Sequence, residues 1–446
     1  MQNEILEIQN NCKKIATSLN IHKYDVYGAL KQDNSASAKD GKPFALNASF
    51  KNYITLRVWN EKGQVGVAST SNLAESGLKI AFEMAFHSSV YSDVGVHYNF
   101  SPLALDDINE NNHSHDNHFA TIQEISQAVV EGEKYILENL SAVKTIPYNK
   151  ISQSGLERFY FNSANSFRKE LISSAFCYYY PQAQEENRLP RQHGQVVIAK
   201  NFKSLDYINC AKKSVEKTQK HLSYAKVQPG KYTVIFAPEA FLDLVSSFSN
   251  FFNGQNMLDK KSLLLRESIE TQVASSCLNI IDDPLNINNY HSNTFDEEGT
   301  PTKSLTIVEN GILKNVLQTS FSAEKFNTLP TGHSSIGSKL TASHHFLRIF
   351  GSSKARGEEP IISSNKFIYI EEVKALHAGV NATQGSFSLP IDGFLLEDGK
   401  KISIEIATVA GDFLTLLKNI IFISEKEIVT PSGICPEVWV KELAIT

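Results

Sequence analysis

This sequence predicts an α+β protein in two parts: N-terminal helices packed on antiparallel sheet, then a C-terminal domain rich in antiparallel β. Three observations lead there. Ile5, Ile8, Cys12, Ile15 and Leu19 recur at the three-to-four spacing of one helix face. Alternating apolar runs are joined by tight hairpin signals, as at Glu309-Asn310-Gly311 and Glu397-Asp398-Gly399. Strands that follow one another through short turns pair antiparallel, whereas regular strand–helix alternation would mark a parallel sheet.

The elements follow in order. After the first helix, NYITLRVWNEKGQVGVAST reads as two strands around Asn60-Glu61-Lys62-Gly63. Asn72 with Glu75 forms a capping box for a helix through Leu73, Ile80, Ala81, Met84 and Ala85. A polar linker spans Asp106 to His118. It leads into an amphipathic helix with Ile122, Ile125, Val129, Ile136 and Leu140 on one side. Two strands flank Asn162–Ser166 and end near Tyr178-Tyr179-Tyr180, and a helix from about Leu205 to Leu222 closes this half. Composition changes at Gln228-Pro229-Gly230, so the domains are placed at residues 1–225 and 226–446. A buried-type strand, Tyr232–Phe236, then runs into a helix with Pro238 at its first position, where the missing N–H costs little. That helix is expected to reach about Phe252 and stop at Asn253-Gly254. Strands dominate beyond it, with one late helix from Asp412 to about Ile420.

Charge and cysteine usage bound the function. The 446 residues carry a net charge of −5 and no dense Lys/Arg run, which argues against holding bare nucleic acid. The five cysteines (Cys12, Cys177, Cys210, Cys277 and Cys435) are odd in number and widely spaced, with no C-x-x-C pair. They fit a reducing compartment. The start, MQNEILEIQNN, has no apolar h-region, and no apolar run approaches the ~18 residues of a membrane span. The expectation is a soluble cytoplasmic protein. G-x-S-x-G, Walker and G-x-G-x-x-G signatures are lacking.

The most specific signal is a series. FDEEGTPTKSLTIVENGILKNVL precedes PTGH, and then IDGFLLEDGKKISIEIATVAGDFLTLLKNI follows. Order and spacing resemble the TldD/PmbA family from about residue 225 to 425, and more weakly over the N-terminal half. The resemblance implies a subunit of a dimer, in which a TldD-like and a TldE-like (PmbA-like) chain form a cytoplasmic metalloprotease. Such pairs trim small unfolded peptides, including antibiotic leader segments and antitoxins. The label "modulator of DNA gyrase" belongs to the same family.

The active chain of such a pair carries His-Glu-x-x-x-His on the helix after a buried strand, and a Cys from the C-terminal part completes its zinc site. Two imidazoles on one helix face bind one ion, and the Glu between them serves as general base. This sequence instead has Pro238-Glu239-Ala240-Phe241-Leu242-Asp243, followed by Leu244 to Phe248 without a histidine. Asp243 and Ser247 share a face, but neither brings an imidazole. Cys435, in SGICPE, lies near where the active chain places its thiolate and reads as a small semi-buried residue at a strand start.

Other candidates have plainer readings. His113, His115 and His118 sit in the polar linker and suit adventitious metal at most. His344 and His345 face opposite ways if their segment is extended. Asp282-Asp283 and Asp296-Glu297-Glu298 read first as turn residues beside Pro284 and Gly299. Thr331, Gly332 and His333 match a family pattern lining the interior of the C-terminal domain. They form a structural turn, with peptide contact as the functional alternative.

The leading expectation is therefore a TldE/PmbA-like subunit that is non-catalytic on its own, has no catalytic or metal residues and binds no cofactor. Zinc is expected only in a TldD-like partner, with peptides held by strand addition. In isolation the chain should be a homodimer. The alternatives are a stand-alone homodimeric peptide-binding or gyrase-modulating protein, and a hydrolase with an unrecognised site, such as a metal at His333 and Cys435.

Overall fold

The computed structural model describes residues 2–92, 99–108, 119–336, 340–352 and 366–446. Its first half is built on one antiparallel sheet. Helix α1 (Gln2–Ser18) leads into β1 (Lys23–Lys39), β2 (Lys42–Trp59) and β3 (Val65–Thr70). Then come α2 (Glu75–Ser89), α3 (Ile122–Asn139), β4 (Val143–Asn162), β5 (Phe167–Ala183), β6 (Arg191–Gln192), β7 (Gln195–Ala199) and α4 (Tyr207–Lys220). The strand order is β3-β2-β1-β4-β5-β6, with β7 also on β5. Asp40 and Gly41 join β1 to β2 with φ of 54° and 71°, the left-handed pair that a two-residue hairpin demands.

All four helices pack on one face of this sheet. Ile5, Ile8, Cys12 and Ile15 of α1 join Leu78, Phe82 and Ala85 of α2 over Val26, Leu56, Val58 and Phe161. Farther along, α3 and α4 bury Ile125, Val129, Ile136, Cys210 and Val215 against Ala36, Ile151, Ala175 and Tyr179. Residues of the other parity face away from the helices. There Tyr27 and Tyr160 cluster with Phe295, Phe321, Ile336 and Leu340 from the second half. Where these clusters meet the sheet both faces are covered, which erases the clean alternation of a half-exposed strand, whereas residues 42–53 of β2 stay largely exposed.

The second half begins with β8 (Tyr224–Ala225), β9 (Gly230–Phe236) and α5 (Pro238–Ser247). A nine-stranded sheet runs from Lys366–Val373 through β9, Val438–Ile445, Ala407–Asp412, Ser386–Glu397 and Lys400–Ile404 to β8. Strand Lys366–Val373 pairs again with Ser386–Glu397, so five of these strands close into a ring. A six-stranded sheet contains Leu278–Asp282, Leu347–Gly351, Gly433–Cys435 and, at one edge, Ile428–Thr430. One large apolar core joins these sheets to α5, including Phe241, Phe248, Phe251 and Phe413. Asn310-Gly311 and Asp398-Gly399 turn their hairpins with positive φ, as the sequence predicts. The late helix, Phe413–Lys418, is capped by Asp412, whose side chain accepts from Thr415 N.

A buried ionic seam ties segment 293–302 to the sheet. Arg57 donates to Asp25 Oδ1 and Glu298 Oε1, both at 2.9 Å. Arg158 pairs with Glu170, whose Oε2 accepts from Thr294 N and Oγ1. Glu298 also accepts from Ser320 N and from the Ser334 hydroxyl. Burial opposes the charge on Arg57, but Asp25 and Glu298 outweigh it and hold the guanidinium well above its ordinary pKa. Gly299 turns this segment with φ 74°, and a Cβ there would lie 2.4 Å from the Tyr160 ring.

Four sequence expectations need correction. The helix after Asn72 starts at Glu75 with Ala74 at the cap and no capping side chain; Asn72 Oδ1 accepts from Ala74 N instead. Its Ile80 and Met84 are exposed, because the sheet takes up the stripe of Leu78, Ala81, Phe82 and Ala85. The helix at Pro238 stops at Ser247 and passes through a 3-10 turn, Ser249–Phe252. Asn253 does not end it but caps the next helix, Gly254–Leu258, by accepting from Asn256 N. His113, His115 and His118 lie outside the described residues.

The seam makes a prediction. Arg57→Ala strands the carboxylates of Asp25 and Glu298, and breaking a buried pair this way costs about 3–5 kcal/mol. Urea unfolding should show a loss of that order, with Lys51→Ala as an exposed control within about 0.5 kcal/mol.

Candidate functional site

The site is built where β9 hands over to α5. Ala237 N donates to Ile370 O at 2.9 Å, and Pro238 opens the helix. Ala240, Phe241, Leu242, Leu244 and Val245 face the core. At i and i+4 of the remaining stripe stand Glu239 and Asp243, which point into a cleft. Its larger chamber holds about 440 Å³ and is walled by β7, Lys217, Glu239, Tyr369, Glu371 and Ile428–Pro431. A smaller chamber of about 90 Å³ shares Val196, Lys217, Glu239 and Glu371 and adds His193, Asp243 and Glu372.

Two strand edges border the larger chamber. β7 pairs with β5 alone, and Ile428–Thr430 pairs with Gly433–Cys435 alone, among the described residues. Each offers a free edge to an extended chain. Carboxylates crowd the inner end. Burial, then Glu239 and Glu372, raise Asp243 to about 6. Burial also raises Glu372, against the pull of Lys374.

Behind these acids lies a buried His pair. His221 Nδ1 meets Ser403 Oγ at 2.7 Å, and its Nε2 meets Glu371 Oε2 at 2.8 Å. The His193 ring stacks on it, centroids 3.7 Å apart and planes 12° apart. Burial and the nearby cations push His193 far below its ordinary range, so it is neutral, and its Nε2 has no hydrogen-bond partner. Asp392 is held by Arg191 at 3.0 Å and by Lys374. Among the described residues, His193–His221–Glu371 and His193–Glu372–Asp392 bring possible metal ligands within 4.8 Å of one another. Stacked imidazoles send their in-plane lone pairs side by side, whereas chelation of one ion needs them to converge. Asp392 already serves two cations. The set is an ionic cluster more than a metal cage, with His193 Nε2 left unpaired within it.

The sequence candidates are dispersed. Ser247 Oγ donates to the Asp243 carbonyl of its own helix at 2.8 Å. Cys435 is wholly buried at the end of its strand, not half-buried at a start; its Sγ donates to Pro436 O at 3.2 Å. Burial drives this thiol well above its ordinary pKa. Thr331, Gly332 and His333 stand apart from the α5 cleft. His333 is buried, with Nδ1 on Thr331 Oγ1 at 2.8 Å and Nε2 on Asp282 Oδ2 at 2.6 Å. Gly332 has φ 79°, and a Cβ there would sit 2.6 Å from Pro301 O. Neither metal-capable group contains His333 or Cys435. His344 and His345 diverge: His345 Nε2 reaches Gly332 O at 2.9 Å, whereas His344 Nδ1 is buried without a partner. Asp282 and Asp296 do more than turn the chain. Asp282 accepts from His345 N and Phe346 N, and Asp296 from Glu298 N, Thr300 N and Ser334 N. Sequence reasoning missed His193 and His221, because nothing in their local spacing marks two loop-end histidines as neighbours.

Two titrations test this geometry. Burial and His333 lower His345 from 6.5 to about 4. The unfolded chain binds that proton near 6.5 and the folded chain resists, so stability falls as pH drops through this window, by about 3 kcal/mol at most. His345→Gln should flatten the slope of unfolding free energy against pH between 6.5 and 4. Asp243 has the opposite sign, its folded pKa being raised. Asp243→Asn should stabilise the protein at pH 8 by up to about 3 kcal/mol, a gain that fades as pH falls through 6 toward 4.

Comparison with known proteins accounts for this architecture. Residues 229–446 match the family model described as the PmbA/TldA metallopeptidase C-terminal domain. A "Metalloprotease PmbA homolog" of Haemophilus influenzae is 27% identical over 407 residues, covering 85% of this chain and 82% of the relative. One from Buchnera aphidicola subsp. Baizongia pistaciae is 32% identical over 211 residues, covering 47% of this chain and 45% of its own length, so the chain matches less than half of that relative. The crystal structure of TldE from Thermococcus kodakarensis superposes with a TM-score of 0.84 at 18% identity, over 99% of this chain and 100% of that one, which shows a shared fold. With the C-terminal domain, a near full-length relative and the whole fold in agreement, the chain belongs to the TldD/PmbA family.

Proposed function

We propose that this chain is the TldE/PmbA-like subunit of a peptidase, paired with a TldD-like metalloprotease chain and inactive by itself. One observation carries the reading: the α5 position where the active chain of the family bears two imidazoles holds Pro238 and Asp243 here. A proline nitrogen in a peptide bond offers no lone pair to an ion, Ser247 is turned onto its own helix, and Cys435 belongs to neither metal-capable group among the described residues. This donor set does not fit zinc, so no hydrolytic step runs through a metal on this chain. The cleft instead suits an extended, unfolded peptide, which takes main-chain hydrogen bonds from β7 or Ile428–Thr430 and meets acids at the far end. We place the domain boundary near residue 226, just ahead of the matched family domain at 229. Among the described residues no helix is long and apolar enough to cross a membrane, in keeping with work in the cytoplasm.

The test is reconstitution. The purified chain alone should hold less than about 0.1 zinc per chain and leave an unstructured peptide intact. Co-expressed with a TldD-like chain, it should support cleavage that a chelator ends and that Asp243→Ala or Ser247→Ala on this chain leaves within about twofold. One tightly held zinc per chain, lost in His193→Ala, would overturn the reading. So would cleavage by this chain alone in chelator.

A further inference from the structure

The smaller chamber of the α5 cleft has more acceptors than the chain's own donors satisfy. Glu239, Asp243, Glu371 and Glu372 line it, and Lys217 is the one cation among its described lining residues. Glu371 is taken up by His221 at 2.8 Å, with Lys217 and Lys401 adding to that pull. Glu239 and Glu372 make no side-chain hydrogen bond or ion pair among the described residues. A lone pair joins these acids. His193 is only 3% exposed, lines the same chamber and carries Nε2 without a partner. Asp392 Oδ2 lies 3.7 Å from its Nδ1, which draws the proton of the neutral ring to Nδ1 and leaves Nε2 an acceptor. A His193 ring nitrogen falls within 4.8 Å of a Glu372 oxygen.

Acceptors beside an aromatic wall suit a cation. The Tyr180 ring supplies that wall, and a Cβ on Gly194 would come within 2.4 Å of it, so glycine lets the turn that carries His193 close on the ring. A metal ion needs donors about 2.0–2.2 Å away on all sides. Glu239 joins no set of three possible ligands within 4.8 Å of one another, so no such shell forms around it. A primary ammonium asks for less. Its three N–H donors reach acceptors about 2.7–2.9 Å away, and it enters on a flexible stem. The larger chamber has room for that stem. Val196, Lys217, Glu239 and Glu371 line both chambers, and His193 and Gly194 lead straight into β7. A strand added to the free edge of β7 thus passes the mouth of the smaller chamber at Val196.

We propose that the smaller chamber captures a primary ammonium group of the peptide held in the cleft, with Glu239, Glu372 and His193 Nε2 as its acceptors. The inference rests on the peptide-holding role proposed above and adds a charge preference to it. Lys217 opposes the guest, but four carboxylates then face two ammonium groups. Two parts of a peptide carry this chemistry, the free amino terminus and a lysine side chain. For the terminus to arrive, the peptide runs parallel to β7, which sets its first residue beside Gln195 and Val196. A lysine enters from a strand of either direction.

Fluorescence anisotropy with three peptides on the full chain at pH 7 decides it. All share one unstructured sequence of small neutral residues with a dye at the C-terminus. One has a free amino terminus, one is acetylated, and one is acetylated with a single lysine at its second position. The free or the lysine peptide should bind at least about tenfold tighter than the blocked one, the size of one charge-assisted hydrogen bond. Whichever gains identifies the source of the ammonium. Glu239→Gln with Glu372→Gln should bring the three affinities within about twofold, while the blocked peptide binds as before, which also shows that the variant is folded. Glu372→Gln alone, a milder change, should cut the preference at least about threefold. Equal affinities in the parent chain would overturn the inference and leave the peptide-holding role standing. A preference that survives these substitutions would overturn it too, since the ammonium would then be read elsewhere. If none of the three bound, the peptide-holding role itself would fall, and this inference with it.

Discussion

Everything on the far face of the first sheet depends on one buried guanidinium. Arg57 satisfies Asp25 beside it on the neighbouring strand and Glu298 from a segment 241 residues away in sequence. A lone buried charge would cost several kcal/mol, so the three groups are tolerable only together. Glu298 in turn accepts from Ser320 and Ser334, and neighbouring Asp296 ties down the backbone of 298, 300 and 334. The ion pair thus fixes where the second half rests on the first. Such a pair contributes more to register than to net stability. An apolar contact could slide, whereas a forked guanidinium between two carboxylates has one position.

Sequence reading recovered what local chemistry dictates. The α1 stripe, the amphipathic face of α3, Pro238 at the start of α5 and the Asn-Gly and Asp-Gly turns all follow from spacing or φ, and the structure has them. Some of what was missed was local too. Asp40-Gly41 carries the hairpin signal at the tip of β1 and β2, yet the long strands on either side escaped: cover on both faces hides the alternation in much of β1, and residues 42–53 of β2 are largely exposed, so no buried face marks them. Asn72–Glu75 has the right spacing for a capping box, but Asn72 lies over Gly77, where a Cβ would meet it at 2.4 Å, and the helix begins later. The rest was not local. His193, His221 and Glu371 meet only because the loop before β7, the end of α4 and a ring strand converge.

That convergence explains why the α5 cleft has the character it does. In this fold the N-terminal turn of α5 points into a chamber whose other walls come from distant segments. Here a carboxylate at 243 crowds Glu239 and Glu372, and its pKa rises to about 6. Lys217, Lys374 and Arg191 offset part of the negative charge from the far wall. The chamber joins these carboxylates to two open strand edges, the combination on which the proposed peptide-holding role rests.

The strand edges of the molecule differ in length and support. β7 and Ile428–Thr430 border the cleft, and each edge is short, five and three residues. The edge of β2 runs twice as long, is apolar and is clamped at its tip by Glu133 and along its partner strand by Asn149. Main-chain hydrogen bonds accumulate with length, and apolar cross-strand pairs add to them. By that measure the short edges at the cleft suit an exchangeable strand, and the longer edge of β2 suits a more durable one.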